Sequence, residues 1–214
     1  MAIKLNLGSH SKSIGEDYIN VEIQDLNNVD LNCDLSKVPF EFVVKQQHKL
    51  KGNEWDFLFE YNLSGRTLFR LPNNFADEIV MEEVLEHISF RKTTIVLKEI
   101  FRILKVEGKL RIQVPDCGST MRAWVDGKVC NCVPHKAFVD GTFRAKSDCK
   151  ICGGKAIMDW ERWLFSFTGA GKNKYDFHLA IFTKDILEKE LRKAGFTEYK
   201  FIDNPVKLKV EATK

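Results

Sequence analysis

Residues 77–114 read DEIVMEEVLEHISFRKTTIVLKEIFRILKVEGKLRIQV, and two periodicities alternate along them. Asp77 to Met81 is a short apolar run suited to a buried strand. From Phe90 to Leu104 the apolar residues Ile95, Val96, Ile100, Ile103 and Leu104 recur at helical spacing, and Gly108 sits just past the end as a helix stop. Lys109 to Val114 reads as a strand again, ended by Pro115 and Asp116. A strand, a helix and a strand in succession form a crossover between parallel strands of one sheet, right-handed because both strand and helix twist that way.

Upstream, Ile3 to Leu7 alternates apolar and polar residues before Gly8 and Ser9, which predicts a short strand entering a tight loop. Tyr18 to Ile23, with Glu22 at its end, and Val29 to Cys33, running into Asp34 and Leu35, are two further strands, and Pro39 stops regular structure. Gly8 to Asp17 has room for a turn or two of helix, so the first crossover is abbreviated. Two aromatic-rich runs, Glu54 to Tyr61 and Thr67 to Leu71, flank the turn chemistry of Asn62 to Gly65 and predict a β-hairpin inserted at about 41–71. Downstream, the pattern breaks into an insertion at about 127–156. The aromatic stretch Trp160, Trp163, Phe165 and Phe167 then leads to Thr168, Gly169, Ala170 and Gly171. Thr183 is placed to cap a helix through Ala194, with Ile186, Leu187 and Leu191 inward and Gly195 closing it. Phe196 to Ile202 and Val206 to Val210 read as a terminal antiparallel pair.

The chain has 214 residues, 44% of them hydrophobic, enough for one core, and a single α/β domain spanning 1–214 with a mostly parallel sheet is expected. A formal charge of +3 is too small to imply a nucleic-acid groove or an anionic membrane surface. No apolar run approaches the roughly 20 residues of a bilayer span, and Met1 to Gly8 lacks the basic and apolar regions of a signal peptide, so a cytoplasmic location is expected.

In such sheets a nucleotide cofactor binds outside the carboxyl ends of the strands, where the strand order reverses. Gly8 and Ser9 fall after the first strand, Glu22 at the end of the second, and Asp34 with Leu35 after the third. Glycine lets the backbone approach a ligand, a carboxylate at the second strand end can accept both ribose hydroxyls, and the third loop can bond an adenine edge. The three-glycine dinucleotide fingerprint is missing, which disfavours a dehydrogenase.

With these residues in place, the chain resembles the class I S-adenosylmethionine-dependent methyltransferases, especially small members of the methyltransferase-type-11 kind. The resemblance runs through Lys4-Leu5-Asn6-Leu7-Gly8-Ser9, Tyr18 to Glu22, Cys33-Asp34-Leu35, Ala76 to Val80, Val84-Leu85-Glu86-His87-Ile88, Leu104 to Leu110, His178 to Phe182 and Leu191 to Phe196. It implies a Rossmann-like fold and S-adenosylmethionine as cofactor. Gly8, Ser9 and His10 would then line the methionine side, Glu22 hold the ribose, Asp34 and Leu35 bracket the adenine, and Glu82 flank the sulfonium. Where family members usually carry a second glycine this chain has His10, a side chain that either crowds the cofactor or points outward.

The sulfonium supplies the reactive methyl and the leaving group, so the protein must align the acceptor and, for a protonated nucleophile, remove a proton. His87, His178 and Asp116 are the candidate bases. For His87 the competing reading is a wall of the site, and for His178 a hydrogen-bonded core histidine.

Four of the six cysteines lie between Cys130 and Cys152. Cys130-x-Cys132-x2-His135 followed by Cys149-x2-Cys152-Gly153-Gly154 offers five ligands for one tetrahedral, structural zinc ion, with the choice between Cys130 and His135 open. Metal would fold a polar segment that lacks a core, and its position suggests a lid on the acceptor side.

The leading reading is an enzyme that methylates an oxygen or nitrogen of a small molecule or glycan. The competing one is a degenerate methyltransferase-like module that binds nucleic acid or protein through the zinc element. Enzymes that methylate amino groups of bases carry an Asn-Pro-Pro-aromatic or Asp-Pro-Pro-aromatic run, absent here.

Overall fold

The computed structural model describes residues 2–9, 14–24, 26–46, 50, 55, 68–130, 149–150, 160–171, 175–204 and 207–214. Nine strands form one sheet: β1 (Lys4–Leu7), β2 (Tyr18–Glu22), β3 (Leu31–Asn32), β4 (Phe42–Val44), β5 (Leu68–Phe69), β6 (Ala76–Glu82), β7 (Leu104–Pro115), β8 (Glu198–Ile202) and β9 (Lys207–Thr213), in the order β5-β4-β3-β2-β1-β6-β7-β9-β8. The five central strands, β3 through β7 in that order, are mutually parallel, and β9 and β8 close one side as an antiparallel pair. This is the predicted α/β arrangement, with β1 central and the chain direction across the sheet reversing between β1 and β6.

Every residue of β2 is buried, as suits a strand with both faces covered. Its polar groups are satisfied laterally: the Asn6 side-chain amide donates to the Asn20 side-chain oxygen at 3.0 Å, and the Asn20 backbone N–H donates to the Asp30 carboxylate at 2.8 Å. Between β6 and β7 runs helix α1 (Phe90–Ile103), whose Val96, Leu97, Ile100 and Ile103 are buried against the sheet, each contributing roughly 2 kcal/mol. Ile95, read with that apolar face, is instead exposed. Helix α4 (Lys184–Ala194) packs on α1 through Phe101 and Phe196, rings 5.0 Å apart. It starts at the predicted Thr183 cap, whose hydroxyl accepts from the Ile186 amide, and stops at Gly195 with φ of 114°.

Two expectations are corrected. Gly108 does not stop α1: the helix ends at Ile103 with Leu104 already extended, and Gly108 lies within β7, where a side chain would press on the Lys105 carbonyl. Among the described residues the partner of β5 is β4, in register Phe42↔Phe69, a pairing the sequence did not predict. Within that run Trp55 is described; it is helical in backbone and packs edge-on against Phe69 and Phe75. The remainder of the expected hairpin, including 62–65, lies outside the described residues. Among the described residues no helix is long and apolar enough to cross a membrane.

Candidate functional site

Strand register sets the site. Leu7 lies beside Val21 and Met81, Glu22 beside Asn32, and Glu82 beside Gln113, so the residues that follow these strand ends share the carboxyl edge of the sheet. At β1 the chain turns through Gly8, at φ of 70°, and the Gly8 and Ser9 amides both donate to the Val21 carbonyl, at 2.7 and 3.1 Å. A methyl on Gly8 would overlap the Val84 side chain, so only glycine lets the two chain segments cross the reversal this closely. The Ser9 hydroxyl is buried and has no hydrogen-bond partner among the described residues. His10 lies outside the described residues.

At the β2 end Glu22 is 7% exposed, and one carboxylate oxygen accepts from the Ile23 and Gln24 amides at 2.8 and 3.3 Å. Asp34 closes a tight turn by accepting from the amide and hydroxyl of Ser36, with Lys37 at 3.3 Å. Burial pushes its carboxyl up, but the Ser36 bonds and Lys37 outweigh that and hold it below the usual range. Leu35 is buried beside it, and Glu82 is exposed at the end of β6.

Across the reversal the chain enters a strained turn. Glu83 has φ of 57°, rare for a residue with a side chain; its amide donates to the Gln113 carbonyl and its carboxylate meets Lys207 at 3.1 Å. A 3₁₀ turn, Leu85–His87, follows and points Glu86 inward. Glu86 is 1% exposed, and among the described residues neither of its carboxylate oxygens has a hydrogen-bond partner. Burial, then the neighbouring Glu83 charge, pushes its carboxyl well above the ordinary value.

His178 arrives from a distant segment. The Leu179 and Ala180 amides both donate to the Glu86 carbonyl, at 2.7 and 3.0 Å, and the His178 amide donates to Thr168 at 3.1 Å. Gly169, at φ of 71°, makes room for that approach, since a side chain there would overlap the Asp176 carbonyl. The His87 and His178 rings meet edge to face with centroids 4.9 Å apart. Each Nδ1 contacts a backbone carbonyl, Phe177 at 3.0 Å and Ser166 at 3.2 Å respectively, which leaves Nε2 as the other ring nitrogen of each. Burial, followed by the facing His87, lowers the His178 pKa. Glu83, Glu86, His87 and His178 line a cavity of about 350 Å³.

Helix α2 (Cys117–Val125) and helix α3 (Trp160–Thr168) supply another wall of that cavity through Thr120, Phe165 and Ser166. The Trp163 indole donates to the Thr120 carbonyl at 3.1 Å, so the two helices that bracket the cysteine insertion are tied together. Asp116, expected as a base, caps α2 instead: one carboxylate oxygen accepts the Ser119 amide at 3.0 Å and the other accepts the Ser119 hydroxyl. Of the insertion's proposed ligands, Cys130 and Cys149 are described, and their sulfurs lie 3.8 Å apart; Cys132, His135 and Cys152 lie outside the described residues.

The sequence singles out His87, His178 and Glu82 as site candidates, but neither Glu86 nor Glu83.

No protein-family model and no curated protein matches the chain. Among solved structures, it is similar to a possible exported protein from Bordetella parapertussis, with 12% identity and a TM-score of 0.50, over 100% of this chain and 61% of that one. A SAM-dependent methyltransferase from Methanosarcina mazei shares 12% identity at a TM-score of 0.48, over 100% of this chain and 91% of that one. For a Nostoc punctiforme protein the figures are 15% and 0.37, over 67% and 32%. The chain thus spans 61% of the length of the Bordetella protein and 32% of the Nostoc one. The likeness to the Bordetella protein is one of fold.

Proposed function

We propose that the chain is an S-adenosylmethionine-dependent methyltransferase acting on an oxygen or nitrogen of a small molecule or glycan. The observation that carries this reading is the gathering of an unpartnered Ser9 hydroxyl, a crossing that only Gly8 permits, and the Glu22 carboxylate along one carboxyl edge, beside the cavity lined by Glu86, His87 and His178. Those residues fit the cofactor. Glu22 is held in place by two amides, which orients it toward a ribose diol. Ser9 offers a donor with nothing else to bond, and Leu35 offers an apolar face to the adenine. When bound, the cofactor supplies an electrophilic methyl and its own leaving group.

For an acceptor in the cavity, His178 is kept neutral by its surroundings and can take a proton, and His87 stands against it. The walls from α2 and α3 orient the acceptor and exclude water, which is the protein's larger share of the catalysis. Asp116 has no part in that chemistry, because its carboxylate is spent on the α2 cap.

The same proposal includes a structural zinc in the insertion. Thiolates bound about 2.3 Å from one tetrahedral zinc sit about 3.8 Å apart, and the Cys130 to Cys149 distance of 3.8 Å fits that edge. A disulfide would need about 2 Å. Two of Cys132, His135 and Cys152 would complete the set of four and fold the lid beside α2 and α3. A reducing, cytoplasmic setting would keep these thiols available.

Titration calorimetry of zinc-analysed protein with S-adenosylmethionine and S-adenosylhomocysteine tests the reading. One site per chain, weakened at least tenfold by Glu22→Ala, supports it. No binding by folded, zinc-loaded protein would sink it in favour of a binding module.

A further inference from the structure

Among the described residues, and apart from the cysteine insertion, one group of side chains has the composition of a metal site. A Glu86 carboxylate oxygen and one ring nitrogen each of His87 and His178 lie within 4.8 Å of one another, in the cavity wall. We propose that these three residues bind a single divalent transition-metal cation that holds and activates the acceptor oxygen of the methyl-transfer reaction. The metal-binding part stands alone; the catalytic role rests on the methyltransferase reading, with His178 then a ligand and metal activation of the acceptor taking the place of proton removal by that imidazole.

Three observations support the site. Glu86 is buried with both oxygens unpartnered, although a buried carboxylate is ordinarily paired or hydrogen-bonded. A cation supplies the missing partner. The two imidazoles are each oriented through Nδ1 by a backbone carbonyl, the arrangement that fixes a metal-binding histidine with Nε2 presented as ligand. The three donors also come from two segments locked together, since the Glu86 carbonyl accepts the two amides that follow His178. The geometry is therefore already set before any ligand arrives.

Two imidazoles and one carboxylate suit manganese, iron, cobalt or zinc better than magnesium or calcium, and three protein ligands leave positions open toward the cavity. An acceptor hydroxyl occupying one of them would be more acidic than in water. Its proton leaves to solvent, the oxygen lone pair forms the new bond to the methyl carbon, and the carbon–sulfur bond breaks with its electrons going to sulfur. The products are the methyl ether and S-adenosylhomocysteine. A site of this kind favours oxygen acceptors, and among them those with a second oxygen close enough to share the cation, such as a vicinal diol or catechol.

Manganese(II) is the probe, because thiolate sites prefer softer ions. Wild-type protein titrated with Mn2+ and followed by electron paramagnetic resonance should bind one ion per chain. Glu86→Gln and His178→Ala should each weaken binding at least tenfold, with unchanged circular dichroism, and Cys149→Ser should leave it intact. Absence of Mn2+ binding, or binding that survives both site substitutions, would overturn the proposal. Glu22→Ala separates the two readings: it should lose S-adenosylhomocysteine and keep Mn2+.

Discussion

Buried carboxylates occur in two regions of this molecule and are treated in opposite ways. On the helical layer, Glu99 of α1 is held by Arg102 through two hydrogen bonds, at 2.7 and 2.8 Å, and also accepts from the Phe40 amide; Glu190 of α4 is paired with Lys193 and bonded by Thr94. At the carboxyl edge of the sheet, Glu86 is as deeply buried and its carboxylate has no hydrogen-bond partner among the described residues. Charge buried to hold the fold is neutralised within the fold, because an unpaired ion in a low-dielectric interior is costly. An unpaired one is tolerated where something outside the chain pairs it. The same edge carries the Ser9 hydroxyl, unpartnered among the described residues, and Glu83 at positive φ, although the Thr93 hydroxyl of α1 is also buried without a partner and Asn74 and Glu107 share the backbone conformation elsewhere.

The largest expected effect is on the paired side. Glu99→Ala should lower unfolding free energy by about 2 kcal/mol, since it removes charge-assisted bonds and strands the Phe40 amide, as measured by urea denaturation. A loss below about 0.5 kcal/mol would mean that this pair is ornamental and would blunt the contrast.

Glu86→Gln should act with the opposite sign. Glu86 has a folded pKa above its unfolded one, so the folded state binds more protons and stability falls as pH rises through that interval. The penalty is absent below the unfolded value, near pH 4.5, and complete above the folded one. In metal-free protein at pH 8 the variant should therefore be more stable than wild type by about 1 kcal/mol, a gain that disappears at pH 4. Saturating Mn2+ should reverse the order. Destabilisation of the metal-free protein would show that Glu86 has a partner within the fold.

Asp116→Asn should have the smallest effect. Asparagine caps helices as well as aspartate does, so stability should change by less than about 0.5 kcal/mol and turnover by less than threefold. Collapse of turnover with an intact fold would restore Asp116 as a base.

The fold was largely legible in the sequence because its long elements carry strong local signals. α1 and α4 show helical periodicity, α4 has both its caps, and β6 and β7 are apolar runs bounded by breaks. β4 and β5 are three and two residues long, too short for any period, and their pairing is set by tertiary contact. The misreading of Gly108 came from the same source: glycine after a helix usually marks its cap, whereas here it permits a close backbone approach inside a strand.

The site divides in the same way. Gly8, Ser9 and Glu22 could be placed at the carboxyl ends of β1 and β2 because strand ends are visible in sequence. The environment of Glu86 could not, since its burial is completed by residues 178–180, roughly ninety positions away, bonded to its own carbonyl. In sequence, Glu86-His87 reads as a solvated pair.

Amide hydrogen exchange with and without S-adenosylhomocysteine tests most directly whether the carboxyl edge is the ligand-binding side. Slower exchange is predicted at Gly8 and Ser9, at Ile23 and Gln24 and over residues 33–36, with Glu198–Ile202 unchanged. Exchange unaltered along that edge, or altered equally in β8, would contradict it.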